Sequence, residues 1–238
     1  MTDERRRRLL PTTALTRHAV RTSVLLILST AAFLVWHFPA LPVLLPVHFR
    51  WNGVPDGWQF KTTARVLMPV FVQTALLAVL GGVATLLLSR RDDRAAGNAP
   101  DIRAALTASE AVMLMATIWV GFQAYAAVAL VAMWTNGRHT LGLTYSGLEV
   151  IGLLLTAIVG VRAHAQLGRP DPLPYIAAHW RLGQLYCNAE HPALFVPTRE
   201  GRRWTLNFGR PAAVVLLGGI LAVGIVLPVA ILALALRT

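Results

Sequence analysis

Five apolar runs, separated by blocks of charge and turn-forming residues, organise this chain: residues 22–41, 66–88, 106–134, 143–164 and 212–236. A helix needs about 20 residues to cross roughly 30 Å of hydrocarbon, and each run meets that length. Backbone groups in lipid must find their hydrogen bonds within their own segment, so each run predicts a helix. The run over 106–134 is longer than one crossing requires and is expected to tilt or to extend past the bilayer. The far end of the first run holds Pro39, Pro42 and Pro46. It cannot stay regularly helical, because each proline removes a donor and restricts the residue before it.

Composition agrees with lipid as the solvent. Hydrophobic residues make up 55% of the 238 residues and charged residues only 14%, with a mean hydropathy of +0.56. A soluble domain carries about 25% charged residues. The formal net charge of +11 does not point to nucleic acid, which would need a folded basic face in water. It reads instead as a topology signal. Seventeen of the 22 Lys and Arg residues fall in the flanks 1–21, 89–105 and 162–211, and five fall in the alternate flanks. The positive flanks should be inside, which places the amino terminus in the cytoplasm and the carboxyl terminus outside. The near-absence of lysine (Lys61 is the single one) fits a high-GC bacterial source, so the expected location is the bacterial cytoplasmic membrane.

The first run follows Arg5-Arg6-Arg7-Arg8, as a signal peptide would. It is too long for a signal core, and no A-x-A-like site ends it before Pro39, so a retained anchor is expected. The whole predicts an all-α membrane protein: a five-helix transmembrane bundle with a short outer loop hairpin and a small basic cytoplasmic β-hairpin module. The segments are a basic cytoplasmic amino terminus (1–21), helices one and two with a signature loop at 45–61 (22–88), helices three and four (89–164), the cytoplasmic module (165–211) and helix five (212–238).

Small residues recur at four-residue spacing: Ala78 and Gly82; Gly152, Thr156 and Gly160; Gly218 and Ala222. Such stripes let helices approach closely, and tight packing within the bundle is the expectation, with a homodimer face as the alternative. Two carboxylates fall within the spans. An ionised carboxylate at the bilayer centre costs on the order of 2.5–3.5 kcal/mol, so Glu149, on the face of Gly152 and Thr156, should turn to the bundle interior or a wet cavity. It is a candidate proton or cation site. Glu110, one turn inside the cytoplasmic end of its helix, is expected to pair with a nearby Arg or hydroxyl. Gln73, Gln123 and Tyr125 are expected as interhelical hydrogen-bond partners.

The loop over 45–61 carries the first specific pattern. Asn52-Gly53 and Pro55-Asp56-Gly57 are both turn formers, so the segment should fold back twice. Trp51, Trp58 and Phe60 suit the membrane–water boundary, holding His48, Asp56 and Lys61 beside the bundle mouth. Between helices four and five, residues 194–198 and 204–208 read as short strands around Arg199-Glu200-Gly201-Arg202-Arg203, a hairpin whose arginines and aromatics would meet anionic headgroups.

The run P-x-H-x-x-x-N-G-x-P-D-G-x-x-x-K, carried here by Pro46, His48, Asn52, Gly53, Pro55, Asp56, Gly57 and Lys61, resembles the extracytoplasmic signature of an uncharacterised bacterial membrane family. That group includes the SdpI-type toxin-immunity proteins, whose distinctive second half is not evident here. The resemblance implies an immunity-like role with His48, Asn52, Asp56 and Lys61 as outer-loop candidates. A second resemblance, to an uncharacterised W-x-x-G-x-x-Y-x-N…F-V-P…W-T-x-N-F module, makes Trp180, Tyr186, Asn188, Arg199, Trp204 and Asn207 candidates. Ala189, His191 and Thr198 depart from its pattern. Neither resemblance implies a reaction.

Other chemistry has no foothold. Phosphate-cradling, nucleophile-elbow and H-E-x-x-H motifs are absent. The single cysteine, Cys187, permits no intrachain disulfide or CxxC pair. His37, His48 and His139 with Asp56 and Glu149 would suit Zn²⁺ or Cu²⁺ chemically, but no helical i, i+4 pair defines a site, so neither metal nor cofactor is expected. The expected function is a non-enzymatic envelope sensing, resistance or immunity-like factor facing an extracytoplasmic peptide or toxin, with anionic lipid headgroups and no nucleic acid as partners. The alternatives are a small transporter or channel component using Glu149 and a metal-dependent membrane protein. Oligomeric state is left open.

Overall fold

The computed structural model describes residues 7–50, 54–91, 102–137, 140–167, 174–191, 193–199 and 204–221. In chain order these form β1 (Arg7–Leu9), α1 (Ala14–His37), a 3-10 turn (Phe38–Ala40), β2 (Leu44–Phe49), β3 (Pro55–Phe60), α2 (Thr63–Val66) and α3 (Met68–Leu88). There follow β4 (Ser89–Arg91), α4 (Ile102–Asn136), α5 (Leu143–Leu167), a 3-10 turn (Ala177–His179), β5 (Trp180–Arg181), β6 (Leu185–Tyr186), β7 (Phe195–Pro197), β8 (Trp204–Leu206) and α6 (Pro211–Leu221). The fold is mostly helical, and four helical stretches are long and apolar enough to cross a membrane: Ala14–Ala40, Met68–Leu88, Ala105–Asn136 and Leu143–Gln166. Most of the expected fifth span lies in residues 222–238, outside the described residues. Trp51, Asn52, Gly53, His139, Arg202, Arg203 and Ala222 are also outside them.

Helix ends depart from the apolar runs where local chemistry overrides hydropathy. Helix α1 starts at Ala14, so Arg17 and Arg21, expected in a basic amino-terminal segment, are helical. Long arginine stems can lie along a helix while their heads reach water, which lets the helix outrun its apolar stretch. At its other end the helix stops at His37, and Pro39 sits in the 3-10 turn that follows. The second run is broken near its start. Thr62 caps α2 by accepting from the Arg65 N–H at 3.3 Å, and α3 restarts at Met68. Pro69 explains the break, since its ring would collide with the Arg65 carbonyl and it has no N–H to donate. Helix α4 has 35 residues, about 52 Å at about 1.5 Å per residue, longer than the hydrocarbon core.

Two compact units emerge, and both cut across helices: Ala14–Gly81 with Met113–Val161, and Met1–Thr13 with Gly82–Val112 and Arg162–Thr238. In the first, Leu34, Leu41, Leu45, Val66, Ala127, Val131 and Trp134 form the buried core. Polar side chains tie its helices together. Fully buried Gln73 donates from Nε2 to the Thr30 hydroxyl (3.1 Å) and to the Val120 carbonyl (2.9 Å), and Ser23 and Thr117 share a hydrogen bond of 3.0 Å. The Gly152–Thr156–Gly160 stripe packs on α4: Gly152 against Ile118 and Trp119, Gly160 against Met115, and Thr156 accepting from Trp119 Nε1 at 3.1 Å. This is packing within one chain. Gly82 and Gly218 instead have open space among the described residues where a side chain would stand.

The second unit contains a ladder no apolar pattern announces. Strand β1 pairs antiparallel with β4, placing Arg7 opposite Arg91 and Arg8 opposite Arg90. Thr13 donates to the Glu110 carboxylate at 2.9 Å, the hydroxyl pairing expected for that acid. The same unit holds the region over 174–210 and α6.

Candidate functional site

The segment over 44–60 is one antiparallel hairpin. Leu44 pairs with Phe60, Leu45 with Gln59, Pro46 with Trp58, His48 with Gly57 and Phe49 with Pro55. The Arg50 N–H donates to the Val54 carbonyl (2.9 Å), which extends the pairing by one hydrogen bond beyond Phe49 and Pro55. The second fold-back expected at Pro55-Asp56-Gly57 does not occur, because those residues enter β3. The register slips instead, leaving Val47 unpaired on β2 and Asp56 unpaired on β3. Bulges of this kind re-aim side chains. Here the Asp56 carboxylate meets His48 Nδ1 and lies 3.5 Å from Arg50 Nε. Gly57 is required opposite His48, since a Cβ there would stand 2.8 Å from the His48 Cβ.

This cluster is open. The His48 and Arg50 side chains are 63% and 66% exposed, and that of Asp56 is 27% exposed. The hydrogen bond from His48, with the nearby His48 and Arg50 charges, holds the Asp56 carboxyl below its ordinary value of 3.8 against the opposing effect of desolvation. An ionised carboxylate only accepts, so Nδ1 of His48 carries the shared proton and Nε2 is the ring nitrogen left for a partner. Nε2 accepts a hydrogen bond from the neutral ring and donates one from the protonated ring.

Lys61, expected beside these residues, is committed elsewhere. Its Nζ donates to the carbonyls of Phe38 (3.1 Å) and Leu41 (2.8 Å) and lies 4.9 Å over the Phe38 ring. The Phe38 carbonyl also accepts the Leu41 N–H (3.3 Å), so the Lys61 cation adds to the bonding at the end of this helical segment. Trp134 Nε1 donates to the Pro46 carbonyl at 3.0 Å, so the hairpin is also held by α4. Trp58 and Phe60 are exposed. Sequence reasoning missed Arg50 and Trp134. Arg50 was legible only as a charge beside the turn, and Trp134 sits 88 residues from its acceptor.

The region over 174–210 uses its motif residues differently. Strands β5 and β6 pair Trp180 with Tyr186, β7 and β8 pair Phe195 with Leu206 and Pro197 with Trp204, and an isolated bridge joins Tyr186 to Asn207. Asn207 is fully buried. Its Nδ2 donates to the carbonyls of Asn188 (2.8 Å), His191 (3.2 Å) and Ala193 (3.2 Å), and its Oδ1 accepts from the N–H groups of Asn188 (3.0 Å) and Gly209 (3.1 Å). Asn188 Oδ1 in turn accepts from Glu190 N (2.9 Å) and His191 N (3.3 Å). Tyr186 is the buried hub of an aromatic group with Trp180 (5.3 Å), His179 (5.9 Å) and His191 (5.8 Å), all edge-on. Arg199 lies 4.5 Å over the Tyr175 ring. Burial, and then the charges of His179 and Arg210, push His191 below its ordinary 6.5. Gly209, which no motif singled out, is indispensable, because a Cβ would come within 2.5 Å of the Asn188 backbone.

Glu149 does not turn inward. Its side chain is exposed on α5 among the described residues, while the Tyr145 ring one turn earlier packs on Phe122 of α4 (5.2 Å). Among the described residues no three His, Cys, Asp or Glu side chains come together as a metal set. Cys187 is half-buried.

Comparison with curated proteins and with solved structures found no match. Residues 25–72, from within α1 through the β2–β3 hairpin into α3, match a family described as a domain of unknown function, DUF1648.

Proposed function

We propose that the chain is a multi-pass protein of the bacterial cytoplasmic membrane, with five spans, amino terminus inside, whose outer hairpin receives an extracytoplasmic peptide or toxin. It is a non-enzymatic, immunity-like or envelope-sensing factor. The observation that carries this reading is the His48–Asp56–Arg50 cluster. Asp56 meets both His48 and Arg50, whose side chains are largely exposed, on a hairpin tied to helical carbonyls by Lys61 and to α4 by Trp134. A rigid base that offers the His48 ring and a guanidinium suits recognition of peptide carbonyls or carboxylates. The signature run adds Asn52, which lies outside the described residues, as a further candidate. The resemblance of the signature run to the SdpI-type group supports the immunity-like form of the proposal. The arginine distribution supports the orientation, and residues 212–236 supply the fifth span. The basic β7–β8 region then lies on the cytoplasmic side against anionic headgroups, with Arg199 among its charges.

The double substitution His48→Ala with Asp56→Ala tests it. Loss of protection or signalling with normal insertion and abundance is expected, and full activity in an inserted double variant overturns the proposal. Transport through Glu149 has no geometric support, since the acid is exposed beside Tyr145 rather than set in a polar cavity.

A further inference from the structure

The turn joining β5 to β6 is built from the wrong residue for a turn in water. The Gln184 N–H donates to the Arg181 carbonyl at 3.2 Å, and both central residues are left-handed, Leu182 at φ 51° and Gly183 at φ 73°. Such a turn favours Asn or Gly at its first central position, because a Cβ collides with the following carbonyl. Leu182 accepts that strain and is 91% exposed, among the most exposed large apolar side chains of the described residues. Strained positions persist where surroundings or function hold them.

The two faces of the small hairpin are unlike. Trp180 and Tyr186, a cross-strand pair, turn into the aromatic hub. Arg181 and Leu185, the next pair, lie on the opposite face and are exposed. The tip therefore presents two leucines beside an arginine. Tyr175 and Ile176, just before the hairpin, are also half-exposed. The chain reaches this region only seven residues after Leu167, the end of α5, and an extended chain covers at most about 3.6 Å per residue. The Leu182 tip follows Leu167 by fifteen residues, a connection whose length allows the tip to meet a bilayer crossed by α5.

We infer that the Leu182 tip is a membrane wedge. Leu182 and Leu185 enter the boundary between headgroups and acyl chains, while Arg181 stays among the anionic phosphates. An arginine beside exposed leucines matches a surface that is apolar below and negative above, which is the argument for lipid over a second copy of the chain or another protein. The inference rests on the membrane-spanning reading above but not on the role of His48 and Asp56.

The test uses the full chain in nanodiscs, with Cys187→Ser as background and Leu182→Cys carrying an environment-sensitive fluorophore. Emission shifted to the blue and quenched by nitroxide-bearing lipids is expected. In anionic discs Arg181→Gln should weaken the quenching about twofold, and in zwitterionic discs it should have little effect. Water-like emission that lipid nitroxides do not quench overturns the inference, as does a blue shift that depends on protein-to-disc ratio and ignores the lipid quencher, which would mark a protein contact. Failure of the chain to enter the discs at all would instead sink the membrane reading. The unlabelled variant Leu182→Asn, which suits the turn, should melt at or above the parent temperature, and a large loss of stability would show that Leu182 holds the fold instead.

Discussion

The hairpin over 44–60 and the region over 174–210 are both short β structures joined to helices, yet they spend their polar side chains in opposite ways. In the first, His48 and Arg50 each meet Asp56 and remain largely exposed. The anchoring falls to Lys61 and Trp134, which bind backbone carbonyls. In the second, Asn207 and Asn188 are consumed in holding backbone. Five contacts on one buried amide replace the regular ladder that two-residue and three-residue strands cannot supply. The lesson is that a motif of polar residues does not by itself mark a binding site. What matters is whether its hydrogen-bonding capacity is already filled.

The comparison predicts a ranking of substitutions. Asn207→Leu should be the most damaging, because it strands several buried backbone groups at about 1–3 kcal/mol each. Hydrogen exchange over 174–210 should rise toward that of an unfolded chain, while 44–60 stays protected. Protection unchanged over 174–210 would mean that the amide is not the hub. Lys61→Met should cost less, roughly 1.5–3 kcal/mol for charged hydrogen bonds, read as a lowered melting temperature in detergent and faster exchange at residues 38–44.

Acidification should separate the two regions by where they titrate. His191 has its proton affinity lowered in the fold, so its contribution is complete above 6.5 and is lost as pH falls below that value. Asp56 is also lowered, so its contribution is complete above the ordinary 3.8 and is lost as pH falls through the depressed folded value. Protection factors, which remove the intrinsic slowing of amide exchange in acid, should therefore fall over 174–210 in mildly acid solution before the Asp56 step is reached over 44–60, and His191→Asn should remove that first fall. Loss of protection in the reverse order would contradict the assignment. Smallest of all should be the effect of His48→Ala on stability, within about 0.5 kcal/mol, since exposed polar pairs contribute little.

Much of this was readable in advance. The four long helices follow from apolar length, and a fold-back within 45–61 follows from the turn-forming Asn52-Gly53. The misreadings have identifiable physical causes. Pro55-Asp56-Gly57 has turn composition, but pairing with β2 drew it into a strand and turned its turn-forming aspartate into a bulge. Glu149 shares the face of Gly152 and Thr156 on a helical wheel, yet its side chain is exposed while the Tyr145 ring packs on Phe122. Lys61 fitted a charged signature, but the carbonyls of Phe38 and Leu41 at the end of the 3-10 turn claimed it. The left-handed Leu182 carries no signal at all in composition.

What the chain dictates unaided is what lipid makes local: a backbone without water must bond within its own segment, so apolar length alone specifies a helix, and proline specifies where it stops. Partner choice is different. Gln73 finds Thr30 and Val120 from 43 and 47 residues away, Trp134 finds Pro46 from 88, and Asn207 gathers backbone from 14 to 19 residues upstream. Those pairings depend on which groups packing leaves buried and unbonded, and only the folded chain creates that demand.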